Sequence, residues 1–196
     1  IIEMTHIAIT GGEPTLNPKT VIYLIDKLVE KSIKITKHIN FLTNGLIYNE
    51  DIINAIRKLI INLKLLDCYP QINFELSNDQ FHKRPNEDII EKYSKVEFVN
   101  KDTLNKGNRT KESTLNIGNA RDNNVGGTKT HLDYIEDVDI EKIENNLVIK
   151  SGVYIAPNGN VMNIGCAPYT ESDNMALGNL KTKSLINILE EEYLKN

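Results

Sequence analysis

The amino-acid sequence predicts an α/β fold in which helices cover a parallel sheet. In the first half of the chain, strand-like and helix-like segments alternate three times through short connections. Each strand-like segment ends in small or polar residues, as in parallel sheets whose ligands bind beyond the carboxyl ends of the strands. The composition is that of a folded domain, since 40% of the 196 residues are hydrophobic and 26% are charged.

Charge and cysteine content exclude several classes of protein. The net charge is −4 and the two signs are interspersed, so no basic stripe indicates a nucleic-acid partner. No apolar run is longer than a few residues, which excludes a membrane-spanning helix. Only two cysteines are present, Cys68 and Cys166, and a disulfide scaffold needs more. We therefore expect a reduced, cytoplasmic setting.

The first elements follow from hydrophobic spacing and from capping residues. Residues 3–10 predict a buried strand that stops at Gly11-Gly12. Asn17-Pro18 predicts the start of a helix, because proline at the first helical position loses no useful hydrogen bond. The same reasoning predicts, in chain order, a strand at 35–42, a helix at 49–65, a strand at 72–76, a helix at 87–93 and a fourth strand at 96–99.

The pattern changes after this region, which predicts two parts, residues 1–133 and residues 134–196. Polar residues and glycine dominate from about residue 100, and we expect long loops there. Pro157-Asn158-Gly159-Asn160 predicts a hairpin turn. The remaining predicted elements are strands at 114–117, 147–149, 153–156 and 161–164 and a helix at 184–194.

The most specific string in the chain begins where the first strand ends, at Thr10-Gly11-Gly12-Glu13-Pro14. Two glycines let a ligand approach the backbone without a Cβ atom in the way. The exposed carbonyl groups and the Glu13 carboxylate can then accept hydrogen bonds from an ammonium group, while Pro14 stiffens the exit. A tight strand-to-helix turn with an incidental acid is the alternative.

Together with two later strings, this one resembles the radical SAM enzymes. Their second strand ends in Gly-Gly-Glu-Pro, and Thr43-Asn44-Gly45 is similar to the ending of their third strand. Ser77-Asn78-Asp79 is similar to the Ser-x-Asp ending of their fourth strand. The segment 117–121 is similar to the Gly-Arg-Ala region after their fifth strand, although Asn119 interrupts the match.

The resemblance implies a partial (β/α) barrel that binds S-adenosylmethionine. In the family, the Gly-Gly-Glu-Pro ending receives the methionyl amino group, and the Ser-x-Asp ending lies near the ribose and the methionine. An arginine in the fifth-strand region pairs with the cofactor carboxylate. The cofactor-binding residues implied in this chain are Gly11, Gly12, Glu13, Pro14, Asn44, Ser77, Asp79 and Arg121.

The chain departs from the family at its iron–sulfur cluster. The family carries Cys-x-x-x-Cys-x-x-Cys upstream of Gly-Gly-Glu-Pro, because three thiolates hold a 4Fe-4S cluster whose fourth iron stays open for S-adenosylmethionine. No cysteine precedes Cys68 here, and the chain opens directly in a strand-like run. We interpret it as a fragment that lacks the first β/α unit. It is not expected to hold the cluster or to be active alone, and no catalytic or metal-binding residue is assigned.

The carboxyl-terminal part resembles the SPASM-like extension of peptide-modifying radical SAM enzymes. The resemblance lies in residues 153–161 and in Leu177-Gly178-Asn179-Leu180, but Cys166 is the only cysteine there, and one thiolate cannot hold a cluster. Cys166 is either a buried structural thiol or a thiol at a substrate pocket. His82 similarly is either a structural or substrate-facing residue, or part of a metal or acid–base pair with Asp79.

Two functions follow from the resemblance. In the first, the intact protein reductively cleaves S-adenosylmethionine at a 4Fe-4S cluster to start radical chemistry on a substrate, for which a peptide or protein is slightly favoured. In the second, the chain is a non-catalytic homologue or binding module that keeps the S-adenosylmethionine pocket without a cluster. In either case the amino-terminal strand carries no lysine or proline to prevent edge pairing, so a homodimer through this edge is expected. The alternatives are a swapped arrangement, or an edge covered by residues 100–133 of the same chain.

Overall fold

The computed structural model describes residues 3–10, 13–77, 83, 85–104, 139–144, 146–149, 153–156, 158–162 and 176–195. The chain divides into two compact units, residues 1–108 and residues 109–196. The sequence-based boundary at residue 133 lies outside the described residues and stays a prediction. Among the helices of the described segments, none combines the length and the apolar character needed to cross a bilayer.

The first unit contains a three-stranded parallel sheet, which confirms the α/β class. The strands are β1 (Glu3–Ile9), β2 (Lys34–Thr43) and β3 (Gln71–Leu76), and they lie in the order β1-β2-β3. The intervening helices are α1 (Pro18–Glu30) and α2 (Glu50–Leu65), and α3 (Glu87–Ser94) follows β3. Short 3-10 helices are formed by Pro14–Leu16 and Lys101–Leu104. Strand β1 lies at the edge of this sheet, and a homodimer through that edge stays a prediction.

Asparagine side chains begin the three helices of this unit. The side-chain oxygen of Asn49 accepts a hydrogen bond from the Ile52 N–H at 3.0 Å, and that of Asn86 accepts one from the Ile89 N–H at 2.8 Å. Asn17 caps α1 in the same way, just before Pro18. Such caps act within one helical turn, so they can be recognised from the local sequence. The predicted starts of these three helices are confirmed to within one residue.

The predicted fourth strand at 96–99 is wrong. This segment makes only one isolated parallel bridge, between Val99 and Phe74. The Val99 N–H donates instead to the Val96 carbonyl, as in a turn. Both valines are buried because the turn directs them into the core, so the apolar spacing comes from packing and not from strand alternation.

Alternation along the strands gives the sheet two different faces. One face packs against α1 and α2 and is apolar, with Ile39, Phe41 and Phe74 each no more than 2% exposed. The residues between them point to the opposite face, because successive side chains in a strand alternate. There Asn40 and Asn73 lie half-buried.

The second unit consists of antiparallel strands and one helix. The strands β4 (Ile140–Ile143) and β5 (Asn146–Ile149) pair with each other. A second sheet has the order β6-β7-β8, with β6 (Tyr154–Ile155), β7 (Asn160–Met162) and β8 (Ala176–Asn179), and α4 spans Leu185–Tyr193. The predicted hairpin turn is confirmed, since the Gly159 N–H donates to the Ala156 carbonyl at 2.9 Å. The predicted strand at 114–117 and residue Pro157 lie outside the described residues.

Candidate functional site

The Glu13 carboxylate lies at the carboxyl edge of the sheet and joins two strand ends. Its Oε1 atom accepts hydrogen bonds from the Thr15 N–H at 3.0 Å, the Thr15 hydroxyl at 2.7 Å and the Thr43 hydroxyl at 2.6 Å. Its Oε2 atom accepts one from the Asn44 N–H at 2.6 Å. Glu13 thus caps the short helix that follows β1 and also fixes the end of β2.

The turn after β2 is organised around this carboxylate. The Thr43 hydroxyl, which donates to Glu13, also accepts a hydrogen bond from the Gly45 N–H at 3.1 Å. The Asn44 side-chain oxygen accepts one from the Leu46 N–H at 2.9 Å. With its side chain occupied in the turn, Asn44 contacts Glu13 through its backbone. Gly45 has a φ of +69°, a conformation that glycine adopts at little cost.

The third strand end joins the same edge through its backbone. The Ser77 N–H donates to the Thr43 carbonyl at 2.7 Å. The structure therefore brings together three of the implied cofactor residues, Glu13, Asn44 and Ser77, and Pro14 is buried beside Glu13. The other implied residues, Gly11, Gly12, Asp79 and Arg121, lie outside the described residues, as do His82 and Cys166.

Three residues of the site were not identified from the sequence. Thr15 and the Thr43 hydroxyl hold Glu13, but the motif comparison assigned neither of them a role. Tyr93 of α3 is a third, because it is buried and its hydroxyl donates to the Ile47 carbonyl at 2.8 Å, which fixes the loop after β2. A short polar side chain two residues after a capping acid is the local signal for Thr15, whereas Tyr93 has none.

The environment keeps Glu13 ionised. Partial burial raises its pKa, but hydrogen bonds from Thr43, Asn44 and Thr15 outweigh this effect, and the pKa is lowered below its ordinary value of 4.5. Burial also raises the pKa of Tyr93, and the negative charge of Glu13 adds to that effect. At neutral pH the site therefore holds a carboxylate anion and a neutral phenol.

A pH dependence of stability follows from the lowered pKa of Glu13. Because the folded-state pKa lies below the unfolded value, Glu13 stabilises the fold above pH 4.5 and loses this contribution as the pH falls through the folded-state pKa. We expect the stability difference between the parent and Glu13→Gln, measured by urea unfolding, to shrink over this acidic interval. A difference that stays constant from neutral pH to the acid end would contradict this prediction. Exposed carboxylates such as Glu30 titrate equally in the two proteins, so their contributions cancel in the stability difference.

The hydrogen bonds that Glu13 already accepts leave capacity for one further contact, to a cation. A carboxylate has about four lone-pair positions, two on each oxygen. Oε1 already receives three hydrogen bonds and Oε2 receives one, so the remaining acceptor capacity lies on Oε2. An ammonium group fits this capacity, because it donates and carries the complementary charge.

The described residues do not fit an iron–sulfur cluster. Cys68 is buried in the hydrophobic core after the end of α2, where its thiol lies 3.6 Å from the Leu66 carbonyl. It precedes β3 and so lies at the amino edge of the sheet, opposite Glu13. Within the described segments, no group of three or more histidine, cysteine or acidic side chains is placed to hold a metal ion.

A charged cluster lies on the outer surface between α2 and α3. Arg57 binds both carboxylate oxygens of Glu97 at 3.1 Å, and the Tyr48 hydroxyl donates to Glu50 at 2.8 Å. Burial, followed by the hydrogen bond to Glu50, raises the pKa of Tyr48 to about 12. Arg57 is engaged by two acids here, Glu50 and Glu97, so its charge is compensated and the cluster is not an anion site.

Comparisons with known proteins find no family model, no curated protein and no solved structure that matches this chain. Function is therefore inferred from the strand-end motifs and from the geometry of the sheet edge.

Proposed function

We propose that this chain is part of a radical SAM enzyme and that its sheet edge receives the methionyl amino group of S-adenosylmethionine. The observation that carries the proposal is the Glu13 carboxylate, which is ionised, fixed across the ends of β1 and β2, and has acceptor capacity on Oε2. The order and spacing of the strand-end motifs add to it. In this proposal the parallel sheet is an arc of a (β/α) barrel, and the two cysteines indicate a cytoplasmic enzyme.

The residues of this chain would bind and orient the cofactor. Glu13 Oε2 would accept a hydrogen bond from the ammonium group, and the Asn44 N–H on the same oxygen would hold the carboxylate in place. Ser77, whose backbone is tied to Thr43, would lie near the ribose. Reductive cleavage of S-adenosylmethionine would supply the radical chemistry, and the cluster thiolates would come from residues that this chain does not contain.

A non-catalytic binding module is the second candidate function. The observation that favours it is the position of Cys68, which is 6% exposed and lies at the opposite edge of the sheet from Glu13. Such a module would keep the amino-group contact without any iron chemistry. Both candidates require that the sheet edge recognise the amino-acid part of the cofactor.

Two analogues that lack the sulfonium charge test whether the sheet edge recognises the amino-acid group. S-Adenosylhomocysteine carries the amino-acid group and methylthioadenosine lacks it, whereas both contain adenosine and a thioether. We expect weak binding of both to the parent, in the millimolar range, because the cluster iron normally supplies much of the affinity. We expect S-adenosylhomocysteine to bind about tenfold more tightly, since a hydrogen bond to a charged group contributes about 1.5 kcal/mol.

Two variants and the amide resonance of Asn44 in the parent complete the test. Glu13→Gln should abolish the preference for S-adenosylhomocysteine, whereas the exposed control Glu30→Gln should retain it. In the parent, the amide resonance of Asn44 should shift with S-adenosylhomocysteine and not with methylthioadenosine, because this N–H bonds to Oε2. Equal affinities for the two analogues in the parent, or micromolar binding without iron, would contradict the proposal.

A further inference from the structure

Thr43, the last residue of β2, contacts the strand ends on both sides of it. Its hydroxyl donates to Glu13 Oε1 at 2.6 Å, beyond the end of β1. Its carbonyl accepts a hydrogen bond from the Ser77 N–H at 2.7 Å, beyond the end of β3. Thr43 is only 2% exposed, and buried polar groups are almost always hydrogen-bonded. The hydroxyl and the carbonyl of this residue therefore both serve to hold the sheet edge together.

The direction of the Thr43 hydroxyl is fixed by its partners. A backbone N–H can only donate, and an ionised carboxylate can only accept. The hydroxyl accepts from the Gly45 N–H, so its one hydrogen must be given to Glu13. The two hydrogen bonds form a chain in which each bond polarises the other. The charge of Glu13 therefore acts on the Gly45 N–H through the Thr43 hydroxyl.

The peptide group between Thr43 and Asn44 is held at both ends. In a trans peptide, as here, the carbonyl and the N–H lie in one plane and point in opposite directions. The Thr43 carbonyl accepts from Ser77, whereas the Asn44 N–H donates to Glu13 Oε2 at 2.6 Å. The direction in which Asn44 approaches Oε2 is therefore set by the contacts of Thr43.

Thr15 offers a comparison within the same site, because its hydroxyl donates to the same oxygen of Glu13. The distance from this hydroxyl to Oε1 is 2.7 Å, and Thr15 is buried like Thr43. Thr15 lies in the short helix that Glu13 caps. Among the described residues, its hydroxyl makes no hydrogen bond to the turn that carries Asn44, whereas the Thr43 hydroxyl binds that turn at Gly45. The two hydroxyls are thus alike as donors to Glu13 and differ in what else they hold.

We propose that Thr43 is a positioning residue whose hydroxyl holds the Asn44 N–H against Glu13 Oε2, so that the remaining acceptor position on Oε2 is fixed before an ammonium group arrives. A group that is fixed in advance loses little further side-chain entropy on binding. The ammonium ligand in this inference rests on the proposed function. The position of Asn44 against Glu13 is a property of the chain without ligand and is tested separately.

Nuclear magnetic resonance of the ligand-free parent gives the first test. We expect the amide resonances of Asn44 and Gly45 to titrate together with Glu13 below pH 4.5. Asn44 bonds to the carboxylate directly, and Gly45 senses it through the Thr43 hydroxyl. Tyr93, whose pKa is raised by burial and by the charge of Glu13, stays neutral over this acidic range and does not contribute to the titration. A Gly45 resonance that does not follow Glu13 would overturn the proposal, and this readout needs no variant to fold.

Two matched variants separate positioning from simple stabilisation of the charge. Thr43→Val and Thr15→Val each remove one hydroxyl from Oε1 with little change in size, so both should raise the pKa of Glu13. Only Thr43→Val should also lose the titration shift of the Asn44 resonance, and Thr43→Ser should restore it. Loss of this shift in both valine variants, or in neither, would contradict a specific role of Thr43.

The ligand part of the proposal is tested with the two analogues of S-adenosylmethionine. Thr43→Val should lose most of the roughly tenfold preference for S-adenosylhomocysteine over methylthioadenosine, whereas Thr43→Ser should keep it. The control Thr36→Val makes the same change at an exposed position of the same strand and should keep the preference. A full preference in Thr43→Val would overturn the positioning role. Equal affinities in the parent, with an Asn44 resonance that still depends on Thr43, would instead refute the proposed function and leave the positioning role in place.

Discussion

Glu13→Gln is expected to lower the free energy of unfolding by about 3 kcal/mol at neutral pH. Hydrogen bonds to a charged group are worth about 1.5–3 kcal/mol each, and a buried donor left unsatisfied costs a further ~1–3 kcal/mol. Glutamine has one oxygen, so its amino group must face either the three donors at Oε1 or the Asn44 N–H at Oε2. Urea unfolding followed by circular dichroism measures the loss.

The control for this variant removes the same charge at an exposed position. Glu30 at the end of α1 pairs with Lys27, and both side chains are well exposed to solvent. Exposed ion pairs contribute little, so Glu30→Gln should change stability far less than Glu13→Gln does. If the two variants proved equally stable, the Glu13 network would not anchor the sheet edge.

Gly45→Ala is expected to lower the free energy of unfolding by about 3 kcal/mol, because two unfavourable effects add. A left-handed conformation costs an L-residue about 1–2 kcal/mol, and Gly45 has a φ of +69°. The new Cβ would also lie 2.7 Å from Leu76 Cδ2 and 3.2 Å from Pro85 Cγ, and overpacking of this kind costs about 1–3 kcal/mol. The displaced turn would weaken the contact between the Asn44 N–H and Glu13 as well.

Two further substitutions separate strain from overpacking. Gly45→Asn should be more stable than Gly45→Ala but less stable than the parent. Asparagine tolerates the left-handed region, but its Cβ meets the same atoms. Ser32 already has a φ of +50° at an exposed position, so Ser32→Ala should be nearly neutral. A stability of Gly45→Ala within about 0.5 kcal/mol of the parent, the range of neutral surface changes, would contradict the geometry described for this turn.

Elements whose signals are local could be predicted from the amino-acid sequence alone. Asn17-Pro18 and Asn49 begin helices because a side chain satisfies backbone N–H groups within one turn, whatever the rest of the chain does. The hairpin at Gly159 likewise follows from residues that are neighbours in the chain. The strand-end motifs marked Glu13, Asn44 and Ser77 as a group because parallel strands place their carboxyl ends at one edge of a sheet.

The groups that these residues contact depend on the folding of distant parts of the chain and could not be predicted from local sequence. The donors that hold Glu13 include Thr43 and Asn44, about thirty residues away in the chain, and their hydrogen bonds use most of the carboxylate's acceptor capacity. The segment 96–99 has strand-like composition, yet packing turns Val96 and Val99 into the core. The hydrogen bond between the Asn40 and Asn73 side chains depends on the register of β2 against β3, which brings together residues whose local sequences carry no sign of each other.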